Sequence, residues 1–213
     1  TVNGNNVYGN GVPLYISEAT PEGGVPTTYV CTGGYHGANN SVPVTSWESN
    51  HVNDKHYIYG GCESGTLTAN TAIYMNGGSV RYIYGGNKGD FDGDHTLTGS
   101  THVEVSGGTV GVDVRGAGGS VEADVTGDVS VTISGNAEVL WDVYCSGSAT
   151  IGGNSSVTVS GGTINGDVIG GGYSNGATVG GNSSVTVSGG TIKGDVVGGG
   201  YSSTAAVGGN SSV

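Results

Sequence analysis

Gly152-Gly153-Asn154-Ser155-Ser156-Val157-Thr158-Val159-Ser160-Gly161-Gly162-Thr163-Ile164-Asn165-Gly166-Asp167-Val168-Ile169-Gly170-Gly171-Gly172-Tyr173-Ser174 recurs almost unchanged from Gly180 to Ser202 and begins a third time at Gly208. Asn154, Asn182 and Asn210 mark the same point in each copy, a period of about 28 residues, and a fixed period of that size signals stacked structural units. The phase runs backwards through the chain. Ser160-Gly161-Gly162 matches Ser134-Gly135-Asn136, Ser106-Gly107-Gly108 and Asn76-Gly77-Gly78, in steps of about 26 to 30 residues. An aliphatic column (Leu67, Leu97, Val125, Ile151, Val179, Val207) and a small polar column (Asn70, Ser100, Asp128, Asn154, Asn182) keep the same phase.

Within one copy the local period is two. In Ser156-Val157-Thr158-Val159 the valines alternate with small polar residues, as in a strand with one buried face. Thr163-Ile164 with Asp167-Val168-Ile169 reads as a second extended run and Ala177-Thr178-Val179 as a third, with glycines at the corners. Three short strands per repeat predict an all-β fold, a parallel β-solenoid with about 28 residues per coil and roughly six coils. The domain division follows: residues 1–56 form an N-terminal cap and irregular region, and 57–213 the solenoid. The stop at Val213, in the middle of a repeat, leads us to expect more chain in the natural protein.

The register predicts which side chains stack. Val157 falls over Val131, Val103 and Ile73; Val159 over Ile133, Val105 and Met75; Ile164 over Val139, Val110 and Val80; Val168 over Val143, Val114 and Ile83. One coil cannot bury these residues, but its neighbours can. The Asn/Asp/Ser column reads as a turn ladder whose side chains bond backbone groups.

Composition narrows the function. Seventeen acidic residues stand against five basic ones, for a net charge of −12, which gives no basic stripe for nucleic acid. No apolar run approaches the ~20 residues that cross a bilayer, so no membrane insertion is expected. An acidic, glycine-rich chain of this kind suits an extracellular location.

Several residue groups are candidate sites. Asp90, Asp92 and Asp94 alternate around Gly93 and supply hard oxygen ligands of the kind Ca²⁺ takes; a solvated turn is the competing reading. That stretch partly resembles the calcium loops of RTX repeats and the first half of an EF-hand loop, without the distal Glu. Asp113, Asp142, Asp167 and Asp195 form an acidic ladder, each just before an inward valine, and read as a solvated edge or as a weak cation or glycosidase-like surface. Tyr57 and Tyr59 fall under Tyr82 and Tyr84, and Tyr173 under Tyr201. Such ladders stabilise sheet faces, and with Trp47 they are also the candidate ligand-binding aromatics. Tyr29-Val30-Cys31-Thr32-Gly33-Gly34 looks like a degenerate precursor of Tyr57-Ile58-Tyr59-Gly60-Gly61, with Tyr35–Lys55 as a projecting loop. That alignment brings Cys31 near Cys62 at equivalent corners, a candidate disulfide; Cys145 has no partner in register and is expected as a buried thiol.

The phrase Ser-Val-Thr-Val-Ser-Gly-Gly-Thr-Ile, continued as Gly-Asp-Val and Gly-Gly-Gly-Tyr-Ser, resembles the glycine-rich repeats of very large secreted surface adhesins of bacteria, gut Gram-positives especially. The resemblance covers about Tyr57 to Val213. It implies a non-enzymatic stalk or adhesive segment outside the cell, with a host or matrix glycan or a surface protein as partner and no catalytic residues. Two alternatives stand beside it. One is a carbohydrate-binding or polysaccharide-processing β-helix similar to pectate lyases. The other is a filament subunit that self-associates end to end through open coils.

Overall fold

The computed structural model describes residues 6–19, 27–32, 35–36, 42–43, 47–49, 57–89 and 93–213, with the backbone alone for 17–19 and for the segments between 27 and 49. The described residues form a parallel β-solenoid of about 5 turns, with ~28 residues per turn. Each turn has three sides. A short side (Leu67–Thr68, Leu97–Thr98, Thr178–Val179, Ala206–Val207) leads into a long strand (Thr71–Val80, Thr101–Val110, Ser155–Ile164, Ser183–Ile192). A narrow strand closes the turn (Tyr57–Tyr59, Tyr82–Tyr84, Val114–Arg115, Val143–Ser146, Val168–Gly172, Val196–Val197).

The aliphatic columns stack in the expected register. Val103 pairs with Ile73 and Val131, Val131 with Val157, and Val157 with Val185. The first four of these are at most 1% exposed, and each fully buried aliphatic contributes roughly 1.5–3 kcal/mol. On the short side Leu97, Val125, Ile151 and Val179 continue one another rung by rung.

The Ser-Gly-Gly signature has a geometric cause. The long strands bend at their second glycine, where the register shifts. Gly78, Gly108, Gly162 and Gly190 take φ of 78° to 83° there, a left-handed conformation that side chains resist. A Cβ on Gly108 would also sit 2.5 Å from the carbonyl oxygen of Gly78. Inside the tube, Thr71 Oγ1 donates to the carbonyl of Gly85 at 2.6 Å, Thr101 Oγ1 to Gly116 at 2.7 Å and Ser183 Oγ to Gly198 at 2.5 Å. These bonds tie the long side to the narrow side.

The N-terminal region differs from the expectation in an instructive way. Asn6-Val7-Tyr8, and not Tyr29-Val30-Cys31, continues the column of Tyr57-Ile58-Tyr59, in parallel register. Leu14–Ile16 likewise pairs in parallel with Ile73–Met75. Residues 6–16 are therefore a further rung of the solenoid. Thr27–Thr32 instead runs antiparallel to Leu14–Ala19 on the long side, followed by Trp47–Ser49. Tyr35–His36 and Val42–Pro43 do the same on the narrow side. The stretch read as a projecting loop thus contributes strands that extend both sheets with reversed direction. Pro43 lies in an edge strand, where its missing N–H blunts further pairing.

Candidate functional site

The polar column of the corner before each long strand is a hydrogen-bond ladder. Asn70 Oδ1 accepts the N–H of Ser100 at 2.9 Å, Ser100 Oγ that of Asp128 at 3.0 Å, and Asp128 Oδ1 that of Asn154 at 2.7 Å. Asn154 then accepts from Asn182, and Asn182 from Asn210, at 2.9 and 2.8 Å. The acidic ladder works the same way at the next corner. Asp113 Oδ1 accepts the N–H of Asp142 at 3.3 Å, Asp142 that of Asp167 at 2.8 Å, and Asp167 that of Asp195 at 2.7 Å. Each carboxylate caps the following turn, which offsets the repulsion expected between like charges one rung apart. Burial pushes the Asp142 carboxyl above its usual range, against the lowering effect of the Asp167 N–H.

Asp113 is more than a rung. It is 6% exposed, and its Oδ2 takes a 3.0 Å bond from Arg115 and a 2.9 Å bond from the Tyr144 hydroxyl. Arg115 occupies the register position of Tyr84 and Tyr144 in the adjacent turns. Its guanidinium carbon lies 5.2 and 5.0 Å from their ring centres, so a cation is inserted into an aromatic column. Below it Tyr84, Tyr59 and Tyr8 stack at 4.7 and 5.4 Å; above it Tyr144, Tyr173 and Tyr201 stack at 5.3 Å. Tyr57 and Tyr82 make a second stack at 5.0 Å, with Arg81 beside both.

Of the expected ligand-binding tyrosines, Tyr59 has both ring faces covered, by Tyr8 and Tyr84, while Tyr57 and Tyr82 cover one face of each other. Tyr59 and Tyr84 are buried, at 5% and 6% exposure, and Tyr57 and Tyr82 are partly buried. Burial is the main cause that raises the hydroxyl pKa values of Tyr8, Tyr59 and Tyr144, and it pushes Tyr84 up to about 12. Trp47 falls in an edge strand whose side chains lie outside the described residues.

The loop proposed for Ca²⁺ is described in part. Asp90 and Asp92 lie outside the described residues, while Asp94 is exposed and accepts from the Thr96 N–H at 2.9 Å and its hydroxyl at 2.5 Å. Those bonds hold its carboxyl below the usual range. Beside it, Asn87 is fully buried: Oδ1 accepts the Cys62 N–H at 3.0 Å, and Nδ2 donates to the carbonyls of His95 and Gly65 at 2.7 and 3.4 Å. His95 Nδ1 accepts the Gly65 N–H at 2.9 Å. Among the described residues, no group of three His, Cys, Asp or Glu is placed to hold a metal.

Cys62 is a free, buried thiol whose Sγ approaches the carbonyls of Ser64 and Gly65 at 3.5 Å, and the side chain of Cys31, its expected partner, lies outside the described residues. Cys31 pairs with Ile16 and Trp47 on the long side, whereas Cys62 follows Tyr57–Tyr59 on the narrow side. Cys145 is also a free, buried thiol, and burial pushes its pKa up to about 12.

Three residues escaped the sequence reading: Asn87, Arg115 as a member of the tyrosine column, and Trp141. Trp141 is 61% exposed at the corner between the long and narrow sides, next to Leu140 at 40%. Its signal was present as a departure from the Asn165-Gly166 and Lys193-Gly194 of later turns.

Searches with the chain found no matching family model, no matching curated protein and no matching solved structure. No helix among the described residues is long and apolar enough to cross a membrane.

Proposed function

We propose that this chain is a non-enzymatic structural and adhesive β-solenoid segment of an extracellular bacterial surface protein. The observation that carries this reading is the engagement of the Asp113, Asp142 and Asp167 carboxylates by the backbone of the following turn. The most regular array of acids in the molecule holds its turns together. A paired-carboxylate reaction would need those oxygens turned to a substrate. Continuous ladders on all sides then make a rod that resists pulling along its axis and carries its outer columns to partners.

Two measurements test the reading. Stretched between its termini in a single-molecule experiment, the chain should unravel turn by turn. Each step should lengthen it by roughly 90 Å, the extended reach of one repeat. Incubation with polygalacturonate and with mucin-type glycans should release no unsaturated or reducing ends. Featureless low-force extension would overturn the structural part, and sugar release the non-enzymatic part.

A further inference from the structure

We propose that the corner carrying Trp141 binds a single saccharide ring, neutral or amino-substituted, as the adhesive contact of the rod; this rests on the adhesive reading above. The corner is built rung by rung. After the column of buried Val110, Val139 and Ile164 and partly buried Ile192 come Gly111-Val112, Leu140-Trp141, Asn165-Gly166 and Lys193-Gly194. Backbone bonds hold these pairs in line: Trp141 N–H to the Val112 carbonyl at 3.2 Å, Gly166 N–H to Trp141 at 3.0 Å and Gly194 N–H to Gly166 at 3.0 Å.

The same backbone accepts valine, tryptophan or glycine at this position, so stacking does not call for an indole. Trp141 takes no part in the buried core and leaves 61% of its surface to solvent. In a repeat protein the shared positions are set by contact between turns. Trp141 and its neighbour Leu140 place two large exposed apolar side chains together at one corner, where only this turn carries them, and such a patch is surface open to a partner outside the fold.

The surroundings suggest what kind of partner. Beyond the indole the next two rungs are glycines, a floor of about 10 Å without side chains, at one strand spacing per rung. One margin carries Asn165 and Lys193; the other carries Asp142 and Asp167, each with Oδ1 held by a backbone N–H of the next turn, and Asp195. Asn165 Oδ1 is buried without a hydrogen-bond partner among the described residues, so the polar groups open to a ligand here are those of Lys193 and Asp195, which are exposed. An aromatic face, a bare floor and donors and acceptors on either margin match a pyranose, which has an apolar C–H face and a rim of hydroxyls. An indole and one leucine are far too small a patch for a stable protein interface, which needs about 1,000 Å². Carboxylates along one margin disfavour an acidic sugar.

The test uses the full chain with 5-fluorotryptophan at both tryptophans. It is first screened on an array of β-glucan, chitin, xylan and mucin-type oligosaccharides, then titrated with those that bind and followed by fluorine NMR. The Trp141 resonance should move saturably while that of Trp47 stays. Trp141→Ala should weaken binding by about tenfold or more, and Lys193→Ala by less, with unchanged thermal melting in both. A silent array, or binding that survives Trp141→Ala, would overturn the site. A silent array alongside intact turn-by-turn unravelling would sink this inference and leave the rod standing. Trp141-dependent binding by a chain that extends without steps would do the opposite.

Discussion

The turns between Tyr57 and Tyr144 and those from Gly152 onward share one backbone path but are held differently. In the later turns the same small set recurs: an Asn rung, an Asp rung, an inward hydroxyl and four aliphatic columns. The earlier turns add contacts found once each. Arg115 is wedged between Tyr84 and Tyr144 over Asp113, and Asn87 ties three backbone groups of one corner. Repetition distributes stability evenly over weak exposed rungs. Singular residues concentrate it in a few buried ones, and their loss is correspondingly local and large.

The strongest way to break this contrast is alkali. Tyr59, Tyr84 and Tyr144 are buried and hold their protons above the ordinary value of 10.0. A group whose folded pKa is raised contributes stability in full below its unfolded pKa, and loses it as pH rises toward the folded one. Each tyrosine withdraws about 1.4 kcal/mol per pH unit in that window. Together they remove on the order of 4 kcal/mol by one unit above the unfolded value. Strand signal in circular dichroism should collapse between pH 10 and about 12 in step with tyrosinate absorbance. Tyrosinate appearing at the ordinary value with the strands intact would show that the column is open to solvent.

Asn87→Ala is the next largest effect. It strands the Cys62 N–H and two carbonyls in a buried corner, at a cost of about 3–4 kcal/mol. Hydrogen exchange should quicken over residues 60–96 and stay unchanged beyond Gly152. Uniform acceleration along the chain would mean that the turns unfold as one unit.

The smallest effect sharpens the comparison. Asn182→Ala removes one exposed rung, the 2.8 Å bond from the Asn210 N–H. It should cost about 0.5–1 kcal/mol, visible as faster exchange between Val179 and Asn210 alone. A loss as large as that of Asn87→Ala would erase the distinction between rungs and singular contacts.

Much of this architecture is written in one dimension. The period, the aliphatic columns and the Asn ladder were legible because each turn must reproduce the register of its neighbour, so spacing in sequence equals position in space. The stacking of Tyr59 on Tyr84 and of Tyr173 on Tyr201 followed from the same rule. Where the rule lapses, reading lapsed too. Tyr29-Val30-Cys31 carries the local look of a rung, yet strand direction is set by the chain's return path, and Asn6-Val7-Tyr8 holds the place instead.

The sequence by itself determined the solenoid, its period and its core columns, because translational symmetry leaves each side chain only its own copy to meet. Tertiary structure alone decided which polar groups are consumed and which are free. It turned the Asp113, Asp142 and Asp167 carboxylates onto backbone N–H groups, covered both ring faces of Tyr59 and left Trp141 in solvent. The physical reason is that hydrogen-bond direction and ring orientation depend on the contact between successive turns, which a linear pattern of residue types does not encode.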